Sequence, residues 1–110
     1  MKRLPDCSKI FLSYTLRDSR LNLNILEKIK KIVEETKKSS VYIDILDNDP
    51  NDARYQERVF EKLSEADVFL LIESALITES KWAKKEIDFA KKHEIQMIFV
   101  NIDEVLSWID

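Results

Sequence analysis

The chain has 110 residues, 18 Lys and Arg against 21 Asp and Glu, and no glycine. Its length suits one domain, and 45% hydrophobic with 35% charged residues describe a folded, highly charged chain and not a disordered one. The net charge of −3 gives no general attraction for nucleic acid or anionic membrane, and the missing glycine excludes a G-x-G-x-x-G turn, a Walker phosphate loop and a G-x-S-x-G elbow.

At the start, Met1-Lys2-Arg3 leads into Pro5-Asp6-Cys7-Ser8 and not into a signal-peptide core. No run approaches the roughly 18 apolar residues of a membrane span. Cys7 is the one cysteine, so no internal disulfide forms, and its place before a strand reads as a small buried hydrophobe. One Cys and one His exclude zinc sites built from those ligands. A soluble cytoplasmic protein is expected.

Lys9 to Tyr14 reads as a short apolar strand. An amphipathic helix follows over Ser19 to Lys38, with Leu21, Ile25, Ile29, Ile32 and Val33 at helical spacing. Val41 to Leu46 is β-branched and reads as the second strand. Asp47 to Asp52 is a loop whose Asn48, Asp49, Asn51 and Asp52 are the expected positive-φ residues in a chain without glycine. A helix capped near Asn51 or Asp52 runs to Glu65, burying Val59, Phe60 and Leu63. Asp67 to Ile72 is continuously apolar after its first residue, as in a strand covered on both faces. The next helix opens at Thr78 or Ser80 and ends near His93. Gln96 to Asn101 is the last strand, and Glu104 to Ile109 begins a final helix.

Strands alternating with helices predict a flavodoxin-like three-layer α/β/α domain. Its parallel sheet has four strands, or five, in the order 2-1-3-4. The topological switch then falls between strands one and three. A ligand crevice belongs beyond their carboxyl ends, near Tyr14-Thr15 and Glu73-Ser74.

On the helix following the third strand, Lys81, Lys84, Lys85, Asp88, Lys91 and Lys92 share a solvated arc, while Trp82, Ala83, Ile87, Phe89 and Ala90 oppose them. Glu86 falls inside the apolar arc, where a carboxylate is costly unless paired or facing a cavity. One reading is a partly buried Glu bonded to a backbone amide or Arg, its stem packed on Trp82. The other is a carboxylate in a half-apolar cleft with a raised pKa, placed to act on a ligand.

Four stretches together resemble a Toll/interleukin receptor (TIR) domain over roughly residues 8 to 103. Ile10-Phe11-Leu12-Ser13-Tyr14 with Arg17-Asp18 resembles its first strand and following loop. Val41-Tyr42-Ile43-Asp44 resembles the second strand leading into the BB loop, and Phe60 to Ser74 the helix leading into the third strand. Ser80-Lys81-Trp82-Ala83-Lys84-Lys85-Glu86 resembles the Ser-x-Trp-x-x-x-Glu element, with Ile98-Phe99-Val100-Asn101 at the fourth strand. Two departures stand out. Pro50 of the BB loop has no following glycine, and the fifth strand and last helix of the family are missing after residue 103.

The resemblance to the prokaryotic NAD+-cleaving members implies hydrolysis or cyclisation at the nicotinamide–ribose bond, giving nicotinamide and linear or cyclic ADP-ribose in antiviral defence. Glu86 is then the catalytic carboxylate, NAD+ is a substrate, and no cofactor or metal is required. The implied partners are further copies of the chain, joined through the BB loop, and an effector protein sensing the product. Tyr14 lines the nicotinamide or ribose pocket or is a rim aromatic. Trp82 walls the site or packs in the core. Arg17 contacts the pyrophosphate or pairs with Asp18 or Asp52. Ser13 and Ser74 bond the ligand or cap neighbouring helices, and Asp44 is structural. Two alternatives stand beside this enzyme: a non-catalytic TIR interaction module and a nucleoside deoxyribosyltransferase-like enzyme.

Overall fold

The computed structural model describes residues 1–16, 19–49, 51–74 and 80–110. β1 spans Lys9–Ser13, β2 Ser40–Tyr42, β3 Val68–Glu73 and β4 Gln96–Asn101. They form one parallel sheet in the order β2-β1-β3-β4, as the alternating pattern predicts. The helices are α1 (Leu23–Lys37), α2 (Asp44–Asp47), α3 (Tyr55–Glu65), α4 (Lys81–Lys92) and α5 (Ile102–Ser107).

Period-two alternation along each strand divides the core between two faces. Ile10, Leu12, Leu70 and Ile72 point to one side and pack with Leu26, Ile29 and Val33 of α1 and Ile102 and Val105 of α5. Phe11, Phe69 and Leu71 point to the other and pack with Val59 and Leu63 of α3 and Ala83 and Ala90 of α4. On that second face, register sets Tyr42, Phe11, Phe69 and Met97 in one row across the four strands. Phe11 stacks on Tyr42 and Phe69 at 5.4 and 6.0 Å. Two strand positions beyond Phe11, Ser13 reaches the carboxyl end of the sheet on the same face, toward α4.

Capping side chains start three of the five described helices. The Asn22 side chain accepts from the Ile25 N–H at 3.0 Å and starts α1, whose C-terminal Lys38 adopts the left-handed conformation. The Ser80 hydroxyl accepts from the Ala83 N–H at 3.1 Å and starts α4 at one of the two expected positions. α5 begins at Ile102, two residues before the expected start, because the Asn101 side chain caps it through the Asp103 N–H. α3 starts at Tyr55, after a turn in which Asp52 accepts from the Arg54 N–H.

The largest departure from expectation is the second strand, which stops at Tyr42. Asp47 accepts from the Ile43 N–H at 2.8 Å, and Asp44 from the Ile45 N–H at 2.9 Å. Those two carboxylates coil the β-branched run into α2, local bonding overriding strand propensity. Cys7 is exposed, not buried, since it forms a left-handed turn whose N–H donates to the Lys37 carbonyl. Among the described residues the positive-φ positions are Cys7, Lys38 and Glu94, not the Asn and Asp residues of the 47–52 loop. Pro50 lies outside the described residues.

Asp47, together with Glu34 of α1, also closes the β2 edge. The Ser40 N–H donates to the Ser8 carbonyl, so alternate amides face β1 and the others face outward. The outward N–H of Val41 is taken by Glu34 at 3.0 Å and that of Ile43 by Asp47, itself paired with Lys30. Free strand amides are a template for another chain, and here they are consumed internally. Glu34→Ala is expected to speed hydrogen exchange at the Val41 amide by about tenfold or more while leaving the Ser40 amide protected. Residue-resolved exchange by NMR checks this, and equal effects at both amides count against the clasp.

Candidate active site

Glu86 is buried, with 3% of its surface exposed. It sits between Ala83 and Ala90 on the inward stripe of α4, where small neighbours let the helix approach the sheet. The Ser13 hydroxyl donates to its Oε1 at 2.8 Å. Of the two sequence readings, the partner is thus neither a backbone amide nor an Arg but a hydroxyl from the end of β1. Burial pushes the Glu86 carboxyl up to about 8; the Ser13 bond opposes that rise, and the nearby negative charge of Asp44 adds to it.

A second buried carboxylate lies beside this pair. Asp44, at the start of α2, accepts from the Tyr14 hydroxyl at 2.6 Å and the Tyr55 hydroxyl at 3.0 Å. Tyr14 immediately follows β1, so it turns to the sheet face opposite Ser13. Burial, then the charge of Asp44 and the bond to it, push the Tyr14 phenol up. Burial and the same neighbour push Tyr55 up to about 12. Both phenols therefore stay protonated donors near neutral pH. The Tyr55 hydroxyl also feels the Glu86 charge, which ties α3 into the cluster.

Glu86, Ser13 and Tyr14 thus gather at the carboxyl end of the sheet. Ser74 directly follows β3 at that end, and its buried Oγ has no hydrogen-bond partner among the described residues. Trp82 turns elsewhere: its ring packs on Phe60 at 5.6 Å and beneath the Lys85 ammonium at 5.9 Å, along the α3–α4 seam. Arg17 lies outside the described residues. Asp52, one of its expected partners, pairs with Arg58 at 2.7 Å. The acid–phenol cluster adds Tyr55, which no sequence spacing singles out, and gives Asp44 contacts that its place after a β-branched run only hinted at. A cleft of about 370 Å³ at the β2 edge does not reach Glu86. The carboxyl end of β3 adjoins residues 75–79, outside the described set.

A parallel four-stranded sheet of order 2-1-3-4 flanked by helices is the flavodoxin-like α/β arrangement of a TIR-like domain, and here a buried glutamate sits four residues after a tryptophan on the helix following β3. Residues 11–107 match the family model described as the TIR-like domain of the Thoeris protein ThsB, and the chain belongs to that family. No curated protein matches the chain. Among the described residues, no helix is long and apolar enough to cross a membrane.

Proposed function

We propose that the chain cleaves NAD+ at the bond joining nicotinamide to ribose, releasing nicotinamide and linear or cyclic ADP-ribose as part of antiphage defence signalling. The observation that carries this reading is Glu86, a buried carboxyl held by Ser13 at the crevice end of the sheet. Nicotinamide leaves as a neutral base from a cationic ring, so no acid is required for departure. What the reaction requires is negative charge near the ribose as oxocarbenium character develops.

Glu86 suits that requirement through its raised pKa. In the free site the carboxyl is largely protonated at neutral pH. A bound cationic nicotinamide favours the ionised form and draws the proton off, leaving carboxylate and cation together in a site of low dielectric. The Ser74 hydroxyl, without a hydrogen-bond partner among the described residues, is offered to a ribose hydroxyl or an amide. Tyr14 borders the ring, and Arg17 contacts the pyrophosphate. Further copies of the chain, joined through the segment between β2 and α3, and an effector sensing the product complete the proposed system.

Nicotinamide release followed by chromatography tests the reading. Wild type is expected to release it and Glu86→Ala to lose at least about a hundredfold in rate, the scale of removing one electrostatic catalytic group. Because the ionised form is active, kcat/KM should rise with pH and level off above about 8. Release unchanged in Glu86→Ala, or absent from folded wild type at high concentration, overturns it.

A further inference from the structure

On the face away from the sheet, α3 and α4 leave a groove of about 800 Å³ between them. Its floor is aromatic. Phe60 lies 5.1 Å from Phe89 between ring centroids, Phe60 is flanked by Trp82 at 5.6 Å, and Phe89 by His93 at 4.1 Å. Four rings therefore follow one seam, with Phe60, Phe89 and Trp82 only half-buried and His93 exposed. Partly exposed aromatics in contact with one another are the composition of an interface centre.

The two rims carry opposite charge. Glu57 and Glu61 line the α3 side, and Lys85 and Lys92 the α4 side, all exposed. Arg54 pairs with both glutamates, and Asp88 sits between the two lysines, so one rim stays net negative and the other net positive. Neither lysine forms an ion pair with any described residue, Lys85 meeting the Trp82 ring instead.

Symmetry decides which partner such a groove fits. All four strands run parallel, and α3 and α4 each return the chain to the start of the next strand, so the two helices run in the same direction. A two-fold axis lying parallel to them carries α3 of one copy over α4 of the other. Each acidic rim then meets a basic rim, twice, while the aromatic floors face each other. A two-fold perpendicular to the helices in the same plane would set acid on acid.

We infer that the α3–α4 groove is a self-complementary docking surface for a second copy of this chain, related by a two-fold axis parallel to the two helices. The surface is distinct from Glu86, which lies on the opposite side of α4, and the inference is independent of NAD+ cleavage. Pairing through this one groove is expected to be weak, with a Kd of roughly 100 μM.

Sedimentation velocity on the full chain over a range of concentrations tests it. Wild type is expected to dimerise reversibly and less strongly at high salt. The charge reversals Lys85→Glu/Lys92→Glu and Glu57→Lys/Glu61→Lys should each weaken association by about tenfold or more. An equimolar mixture of the two variants should regain it as a heterodimer, since one carries two acidic rims and the other two basic rims. Circular dichroism verifies folding, and alanine at Lys85 and Lys92 serves where a reversal fails to fold. Wild type monomeric at every concentration, association untouched by both reversals, or a mixture that stays monomeric overturns the inference; the first result would leave the groove to a different protein.

Discussion

Glu86→Gln is expected to make the protein more stable and inactive in one step. The carboxyl titrates near 8 in the native state, against 4.5 when exposed in the unfolded chain. Between those values the native chain holds a proton that the unfolded chain has released, so stability falls as pH rises through this window. A shift of that size corresponds to about 5 kcal/mol, most of it accrued by pH 8. Glutamine is neutral throughout, still accepts from Ser13 and fills the same space. At pH 4 the variant and wild type should melt together. At pH 8 the variant should melt roughly 20 °C higher, a gain of about 4 kcal/mol in a domain of this size. Thermal melts across pH 4 to pH 8 read this directly. Parallel melting curves at all pH values would mean that Glu86 is not held protonated. Retained nicotinamide release would remove it from the chemistry instead.

Asp44→Ala is expected to cost about 3 kcal/mol in urea denaturation. The substitution removes the acceptor of two phenolic hydroxyls, Tyr14 and Tyr55, and leaves both half-buried without their partner. Tyr14→Phe and Tyr55→Phe remove one donor each and should cost only about 1 kcal/mol apiece, because the carboxylate keeps the other. The single alanine change therefore exceeds either phenylalanine change, and the three are not additive. Asp44→Ala should also lower the pH at which Glu86 ionises, by removing a like charge, though by less than burial raises it. A loss below about 1 kcal/mol would mean that the two phenolic bonds to Asp44 hold the fold no better than bonds to water.

Periodicity made much of the architecture legible. The apolar run over Val68 to Ile72, continuous and not alternating, announced a strand covered on both faces, and a central strand it is. Ser80 was one of the two starts, with Thr78, that the sequence offered for α4, and the misplaced charge of Glu86 on an otherwise apolar arc announced the buried carboxyl. The failures share one cause. Residues 43–46 look like strand by composition, yet Asp44 and Asp47 bond to amides next to or near them, and such local bonding leaves no periodic trace. Tyr55 was invisible for a related reason. Its role depends on α3 being carried to Asp44, eleven residues earlier in the chain, which no spacing rule encodes. Trp82 illustrates the converse: four residues before Glu86 and only about 40° round the helix from it, its ring nevertheless packs on Phe60 of α3.

The absence of glycine reaches beyond the motifs it rules out. Glycine is the residue with most backbone freedom to lose on ordering, and each one replaced by a side-chain-bearing residue narrows the unfolded ensemble by an amount worth about 0.4–1 kcal/mol. A chain of 110 residues without any begins folding from an already restricted set of conformations. Among the described residues the counterpart falls on Cys7, Lys38 and Glu94, which carry side chains in the left-handed region at about 1 kcal/mol each. A few strained turns are thus exchanged for lower conformational entropy along the whole chain, and the margin this leaves helps a small domain tolerate a buried, protonated glutamate at its crevice.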